Sequence, residues 1–258
     1  MKAIVLTYDR NQPFADLMIC RYDYIWPNHP FEFIVPFQKL NVLRKSKKHF
    51  YVKTPSGICD TVLELIKDMA DEEWIYWAMD DRYLADVDPS YMEKIIGFID
   101  STESHGVDGV CPIRIRDLLK NSIDLDNPVY TSFGKAFNRT DWEQIWLHQF
   151  LKVKVLRFFF TELSTVLDGP AKDMDRLKRD IRMDYNLLVT EKTHVAFWET
   201  LSRGKAHKNT KFHCFIHGIK PSSEVQFTEN QIRMGPIYTS SLRMKFDRFL
   251  WRHLQKFV

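Results

Sequence analysis

Two adjacent aspartates, Asp80 and Asp81, directly follow the apolar and aromatic run WIYWAM at residues 74–79. This run has the composition of a buried strand, which has no use for a pair of carboxylates. Paired carboxylates at a strand end can hold Mg²⁺ or Mn²⁺, because these hard cations favour one or two acidic oxygens together with the oxygens of a bound phosphate. A solvated turn or a helix cap is the alternative interpretation of the pair taken alone.

A second polar group, Thr7, Tyr8, Asp9 and Arg10, begins at the last residue of the strand-like run AIVLT at residues 3–7. It offers a hydroxyl, an aromatic ring, a carboxylate and a guanidinium, a set suited to a nucleotide base and its phosphates. A polar turn between a strand and a helix is the alternative. Lys53, which ends another strand-like run, is a candidate contact to the base or a phosphate.

The elements that position these residues are short strands separated by helices. Composition predicts strands at residues 3–7, 31–37, 49–53, 74–79 and 109–115, with helices at 58–70 and 89–99, the second capped by Asp88. This alternation predicts an α/β fold with a mainly parallel sheet flanked by helices. Ligands of such sheets bind beyond the carboxyl ends of the strands, where the candidate residues should therefore meet.

The second half has a less regular pattern. We predict a helix at residues 142–150, a strand at 153–160, a charged amphipathic helix at 174–188 and a strand at 195–198, followed by a basic, histidine-rich segment at 205–219.

An initial strand ending in TYDRN, followed by a strand, a helix and a strand ending in DD, resembles the GT-A class of nucleotide-sugar-dependent glycosyltransferases. The resemblance covers roughly residues 1–115 and implies a Rossmann-like sheet. It implies that residues 7–10 contact the nucleotide and that Asp80 and Asp81 hold ribose and Mn²⁺ or Mg²⁺. Arg82 stands where a strict D-x-D motif has its second acid, so either aspartate could be the metal ligand.

The segment FHCFIHGIKP at residues 212–221 is similar to the H…G..KP segment of the glycogenin-like GT-A transferases. The similarity implies a metal-binding role for His217 and a diphosphate contact for Lys220. Arg203 in the segment SRGKAHKN is a further candidate for phosphate contact. Histidines packed on one element, and a solvated basic turn, are the respective alternatives.

An inverting transfer needs a general base, because the acceptor hydroxyl loses a proton as it attacks. Asp168 precedes Gly169 and Pro170 in a predicted turn and is our candidate, with a turn-forming role as the alternative. Glu162, Asp173 and Glu199 are rival candidates. A retaining mechanism would remove the need for this base.

Other classes of nucleotide-binding protein are disfavoured by motifs that the sequence lacks. It contains no GxGxxG after the first strand, no GxxxxGK[ST], and no glycine-rich first loop of the nucleotidylyltransferase type. The four cysteines are far apart without a CxxC pair, so neither a zinc site nor a disulfide scaffold is expected.

The net charge of +3 is concentrated in residues 241–258, which hold five basic residues and one acidic residue. Apolar residues in this segment recur on one helical face, which predicts a basic amphipathic helix. Such a helix could lie on an anionic membrane, or it could pack on its own domain.

These observations together predict a glycosyltransferase that moves a sugar from a nucleotide-diphosphate donor to a glycan or glycolipid acceptor in polysaccharide or surface-glycan biosynthesis. We expect residues 1–115 to bind the nucleotide-sugar, residues 116–240 to build the acceptor half of the same domain, and 241–258 to form the terminal helix. The initial apolar run is too short for a signal peptide or a membrane span, so we expect a cytoplasmic protein, with peripheral attachment to the inner face of a membrane as an extension. The alternative is a non-catalytic α/β interaction protein docked to a membrane through its basic helix; no nucleic-acid partner is expected.

Overall fold

The computed structural model describes residues 1–39, 49–114, 122–167, 173–202, 205–220 and 225–228, together with positions 223, 249 and 253. The described strands are β1 (Lys2–Leu6), β2 (Glu32–Phe37), β3 (His49–Lys53), β4 (Trp74–Met79), β5 (Arg82–Val87), β6 (Gly109–Cys111), β7 (Ile123–Thr131), β8 (Gly134–Arg139), β9 (Gln149–Lys152), β10 (Leu187–Thr190), β11 (Val195–Glu199), β12 (Leu201–Ser202), β13 (Lys205–His207) and β14 (Gln226–Thr228). The described helices are α1 (Gln12–Ile25), α2 (Ile58–Ile66), α3 (Pro89–Ile99), α4 (Val153–Val166), α5 (Met174–Leu177) and α6 (Lys208–Ile216).

A main sheet of nine strands has the order β3-β2-β1-β4-β9-β6-β10-β8-β7. Strands β8 and β9 run opposite to the other seven, so the sheet is mainly parallel, as predicted. Two smaller sheets accompany it, one of β11 and β5 and one of β12, β13 and β14. Strand β1 lies between β2 and β4, which brings the carboxyl ends of these three strands together at one edge.

Helices cover both faces of the main sheet. On β4, Tyr76 and Ala78 pack into the apolar cluster that includes residues of α1 and α3, whereas Ile75 and Trp77 pack into the cluster that includes residues of α2 and α4. A strand buried on both faces has no polar alternation. This is why the run WIYWAM is recognisable as a strand from its sequence.

Most of the elements predicted for the first half are confirmed. Strands β1 to β4 and β6 form within the predicted ranges or a residue outside them, and helices α2 and α3 are present. Asp88 caps α3, since its carboxylate accepts a hydrogen bond of 3.1 Å from the backbone N–H of Tyr91. The strand predicted at 195–198 is β11.

Three predictions for the second half were wrong. Residues 153–160 begin helix α4, whose buried positions Val153, Leu156, Phe159, Phe160 and Leu163 recur at helical spacing. Residues 142–147 form turns before strand β9, which pairs with both β4 and β6. The helix predicted at 174–188 is limited to α5, and its last two residues begin β10.

Residues 241–258 lie outside the described residues apart from Phe249 and His253, so the amphipathic terminal helix remains a prediction. Among the residues that are described, no helix combines the length and the apolar character needed to cross a bilayer.

Candidate active site

A cleft of about 900 Å³ opens at the edge of the main sheet where β1, β2, β3 and β4 end. Its volume is in the range typical of small-molecule binding sites. It is lined by Leu6, Thr7, Tyr8, Gln38, Ser56, Gly57, Ile58, Cys59, Asp60, Thr61, Met79, Asp80, Asp81, Arg82, Trp146, Ser164, Leu167, Met174 and Asp175. The structure therefore brings the TYDRN loop and the aspartate pair to one site.

Asp80 and Asp81 are the whole link between β4 and β5, which end and begin at Met79 and Arg82. Asp80 is buried, and its Oδ2 accepts a 2.7 Å hydrogen bond from Thr7 Oγ1. Its backbone N–H donates to the carbonyl of Leu6 at 3.3 Å. The link is thus attached to the end of β1 through both side chain and backbone.

Asp81 is less buried than Asp80 and lies beside the guanidinium of Arg82. Arg82 Nε lies 3.5 Å from Asp81 Oδ1, and both side chains line the cleft. The backbone carbonyl of Asp81 accepts a 2.9 Å hydrogen bond from the N–H of Thr200, which fixes the link from the side of β11.

The buried carboxyl of Asp80 has an unusual proton affinity. Burial, and then the negative charge of Asp81, raise its pKa from 3.8 to about 7, although hydrogen bonds from Thr7 and Asn11 and the charge of Arg82 act in the opposite direction. Without a further positive charge in the cleft, Asp80 therefore holds a proton up to neutral pH.

The loop after β1 divides into two pairs of residues. Thr7 and Tyr8 line the cleft, and the Tyr8 ring is 42% exposed there. The carboxylate of Asp9 accepts hydrogen bonds from the backbone N–H groups of Gln38 (2.8 Å) and Lys39 (2.6 Å). Arg10 Nη2 donates a 2.5 Å hydrogen bond to the Tyr8 hydroxyl. Asp9 and Arg10 therefore hold the residues that form the wall.

The lining that follows β2 and β3 contains residues that were not among the predicted site residues. Gln38 follows β2, and its Nε2 donates to Thr54 Oγ1 at 3.2 Å. Ser56 and Asp60 lie at the start of α2, where a Cβ on Gly57 would stand 2.7 Å from Asp60 Oδ2, so only glycine fits without displacing that carboxylate. For Gln38 and Ser56, their position shortly after the strands predicted at 31–37 and 49–53 was the available signal.

The far wall comes from the second half of the chain. Trp146 is half-buried, with its ring packed edge-on against Phe159 (5.8 Å between centroids) and Phe160 (6.2 Å). Leu167 and Met174 add apolar surface, and Asp175 adds an exposed carboxylate. This part of the chain therefore adds an aromatic ring and an acid to the cleft lining.

The described lining of the cleft does not include the other predicted residues. Lys53 and Lys220 are exposed, and neither belongs to the described lining of the cleft. His217, also outside that lining, has its Nε2 3.3 Å from the Tyr83 hydroxyl. Asp168 and Arg203 lie outside the described residues.

The cleft is acidic. Its described lining contains four carboxylates, Asp60, Asp80, Asp81 and Asp175, and one cationic side chain, Arg82. Asp175 forms an ion pair with Lys178 (3.3 Å), and Asp80 holds a proton up to neutral pH, so the excess of negative charge is small until a cation binds. A divalent cation would favour the ionised form of Asp80, and a diphosphate could bring that cation with it. The two adjacent aspartates fit this cation in donor chemistry, since Mg²⁺ and Mn²⁺ prefer carboxylate and phosphate oxygens.

No cluster of three or more metal-ligating side chains (His, Cys, Asp or Glu) occurs in the described part of the chain. Asp80 and Asp81 would therefore need oxygens of a bound ligand or water to complete a coordination shell. Mg²⁺ is commonly bound in this way, through one or two carboxylates plus substrate phosphates.

No protein-family model and no curated protein matches the chain. Among solved structures it is similar to the galactosyltransferase LgtC in complex with donor and acceptor sugar analogues, with 13% identity, a TM-score of 0.38 and coverage of 72% of this chain and 67% of that one. It is similar to S. aureus TarS 1–349, with 13% identity, a TM-score of 0.42 and coverage of 75% of this chain and 59% of that one.

A third likeness is to 2-C-methyl-D-erythritol 4-phosphate cytidylyltransferase from Thermus thermophilus, with 8% identity, a TM-score of 0.43 and coverage of 84% of this chain and 98% of that one. All three TM-scores lie below 0.5, so these likenesses give the chain neither a family nor an activity.

Proposed function

We propose that the chain is a metal-assisted glycosyltransferase that takes a sugar from a nucleotide-diphosphate donor. One observation carries the proposal, namely that the buried Asp80 and the partly exposed Asp81 follow β4 directly in a cleft whose walls also include the residues that follow β1, β2 and β3. A paired carboxylate at the carboxyl edge of an α/β sheet is suited to a nucleotide diphosphate and its cation.

Each wall has a role in this proposal. Tyr8 stacks on the base, while Gln38, Ser56 and Thr61 offer polar groups to the base or the ribose. Arg82 lies beside the aspartates, where a guanidinium can neutralise the diphosphate leaving group. Asp9 and Arg10, predicted as nucleotide contacts, act in this arrangement through Gln38 and Tyr8.

Asp80 and Asp81 are the residues that would hold the cation. Bound there, Mn²⁺ or Mg²⁺ would neutralise charge on the leaving diphosphate. Thr7 keeps one carboxylate oxygen of Asp80 in place, and a cation would favour the deprotonated carboxyl that burial opposes. His217 as a further metal ligand, and Lys53, Arg203 and Lys220 as phosphate contacts, remain proposals from the sequence.

The second half of the chain is proposed to receive a glycan or glycolipid acceptor at the wall formed by Trp146, Leu167 and Met174. Asp168 remains the base proposed from sequence for an inverting reaction. Asp175 is a second candidate, because its carboxylate is exposed in the lining of the cleft. Roles in polysaccharide biosynthesis and in peripheral membrane contact through residues 241–258 are likewise proposals.

The test is thermal unfolding of the whole chain with UDP, GDP and dTDP, each with and without Mn²⁺. We expect one of the three to raise the melting temperature, and to do so more strongly with Mn²⁺ than without it. Asp81→Asn should lose the Mn²⁺-dependent part of this rise, whereas Asp175→Asn, which removes a charge from the same cleft, should keep it.

If none of these nucleotides changes the melting temperature of the wild-type chain, the proposal is wrong. If one does, the same assay with a panel of intact nucleotide-sugars identifies the donor. Release of free sugar from that donor then provides an activity assay that needs no acceptor.

A further inference from the structure

His148 is a fully buried histidine that has no role in the proposed reaction. It immediately precedes β9, and none of its side chain is exposed. Its Nε2 lies 3.0 Å from the backbone nitrogen of Met79, the last residue of β4. The imidazole therefore contacts the chain one residue before the aspartate pair.

The position of β9 explains why Met79 needs this contact. The antiparallel ladder between β4 and β9 ends at the pair Trp77 and Gln149, where the chain turns away. The N–H of Met79 is thus beyond the end of the ladder but still inside the core, and a buried N–H without a partner is costly. The His148 side chain supplies the acceptor that the strand no longer provides.

The protonation state of the ring suits this role. Burial lowers the pKa of His148 to about 3, so the imidazole is neutral at physiological pH. Its Nε2 lies 3.0 Å from the Met79 nitrogen and 3.1 Å from the Met79 carbonyl oxygen, so it could accept from the first or donate to the second. A buried N–H is left unpaired more rarely than a carbonyl, which favours the tautomer in which Nε2 accepts and Nδ1 carries the proton.

Two buried tyrosines hold the ring in this orientation. Nδ1 of His148 lies 3.1 Å from the Tyr22 hydroxyl, which is itself 2.7 Å from the Tyr76 hydroxyl. Both tyrosines are fully buried. The imidazole is therefore fixed on its Nδ1 side by one chain of hydroxyls and on its Nε2 side by the Met79 backbone.

The aspartate link is held from its remaining sides by other elements. The N–H of Asp80 donates to Leu6, and the Thr200 N–H and hydroxyl donate to the carbonyls of Asp81 (2.9 Å) and Asp80 (3.4 Å). The contact described from the β9 side comes from His148. Without it, the contacts described at the end of β4 would come from β1, from Asn11 and from Thr200 after β11.

We propose that His148 is a positioning residue, whose hydrogen bond to the Met79 backbone holds the Asp80–Asp81 link where both carboxylates can bind one cation. The effect on cation binding rests on the proposed function. The effect on the end of β4 does not, and the two can be measured separately.

The test compares His148→Phe, which fills the space without an acceptor, with His148→Gln, which restores one. His29→Phe is the matched control: His29 is also buried, and in the turn before β2 it accepts a 3.1 Å hydrogen bond from the backbone N–H of Phe31. Both histidine rings pack against Tyr22 (6.1 and 6.2 Å between centroids), so this control also accounts for an effect transmitted through that ring. If His148→Phe does not fold, His148→Asn is compared with His148→Gln instead, because the shorter amide side chain of His148→Asn does not reach Met79.

The first measurement is amide hydrogen exchange of the whole folded chain, followed in the fragment that covers residues 74–84. We expect exchange at the end of β4 to be about tenfold faster in His148→Phe, and close to wild type in His148→Gln and His29→Phe. Wild-type exchange rates in His148→Phe, or equal acceleration by His29→Phe, would overturn the proposal.

The second measurement is affinity for UDP, GDP and dTDP with and without Mn²⁺. For the nucleotide that binds, His148→Phe should weaken binding about tenfold in Mn²⁺ and leave metal-free binding unchanged, and His148→Gln should restore the loss. Equal losses in both conditions would mean a general structural role and would contradict the positioning role. If the wild-type chain binds none of them, the proposed function fails, while the exchange result still decides whether His148 fixes the end of β4.

Discussion

Thr7 Oγ1 lies 2.7 Å from Asp80 Oδ2, and this hydrogen bond joins the ends of two neighbouring parallel strands at the floor of the cleft. It stabilises the ionised form of a carboxyl that burial otherwise keeps protonated near neutral pH. The proton affinity of Asp80 is therefore determined partly by a residue of a different strand.

Thr7→Val removes this donor with little change in volume. We expect the pKa of Asp80 to rise further, so that Mn²⁺-dependent stabilisation by a nucleoside diphosphate appears at a higher pH than in the wild type. At pH 8 the free energy of unfolding should fall by roughly 1–3 kcal/mol, the usual cost of losing a hydrogen bond to a charged group. Thr190→Val is the control, since the buried Thr190 hydroxyl donates to the Lys192 carbonyl and Thr190 is not part of the cleft lining. A similar pH shift in both variants would contradict the specific role of Thr7.

Asp81→Ala should abolish donor hydrolysis and sugar transfer while leaving the fold intact. The side chain of Asp81 is 35% exposed, so its removal creates no closed cavity in the core. Circular dichroism without nucleotide should match the wild type, the melting temperature should not fall below it because a charge that opposes ionisation of Asp80 is removed, and turnover should be lost. Retained turnover in Mn²⁺ would mean that Asp81 does not hold the cation.

The stability of the metal-free protein should decrease as the pH rises from about 4 to about 7. Between the unfolded pKa of 3.8 and the folded pKa of about 7, the native Asp80 holds a proton that the unfolded chain has lost, so each rise in pH favours unfolding. The full loss in the free energy of unfolding that Asp80 causes between these two pKa values corresponds to about 4 kcal/mol. Above pH 8 the contribution of Asp80 to this free energy should be constant.

Denaturant unfolding in EDTA at several pH values measures this dependence. Asp80→Asn should remove most of it, because the amide does not titrate. Asp81→Asn should reduce it, since the charge of Asp81 is the second cause of the raised pKa. Parallel pH profiles for the wild type and Asp80→Asn would show that Asp80 has an ordinary pKa in the native protein.

Tyr8→Ala should weaken nucleotide binding by about 1–3 kcal/mol, the range observed for loss of a ring that stacks on a base. Tyr8→Phe keeps the ring and should retain most of the affinity, although it loses the hydrogen bond from Arg10. Titration calorimetry measures both, and Tyr24→Ala is the control, since Tyr24 is an exposed ring on α1 outside the cleft lining. Equal losses in Tyr8→Ala and Tyr24→Ala would exclude stacking by Tyr8.

Strands β1 and β4 could be predicted because they are mostly buried and apolar, and helices α2 and α3 because their apolar positions recur at regular spacing, whereas helix α1 was not predicted. Strand β5 was missed because it begins with Arg82, immediately after two charged residues that suggest the end of a strand. The first turns of helix α4 contain β-branched and aromatic residues, whose intrinsic preference predicts a strand. Packing against α2 overrides this preference, so the segment is helical.

The aspartate pair and the TYDRN loop could be placed at one site because parallel strands end at a common edge. Trp146 could not be found in this way, because it reaches the cleft from a turn whose path depends on where β9 pairs. His148 gave no signal either, since its role depends on a backbone N–H that becomes unpaired only when the ladder between β4 and β9 ends. Long-range pairing of this kind leaves no local pattern in a sequence.

The direct passage of the chain from β4 through Asp80 and Asp81 into β5 constrains the number of residues at this point. These two residues carry the backbone from the main sheet to the sheet that β5 forms with β11. One residue inserted or deleted here would change the register of one sheet against the other and reverse the directions of the side chains that follow. Substitutions can therefore alter the chemistry of the site, but loop grafting or extension at this position should be incompatible with the fold.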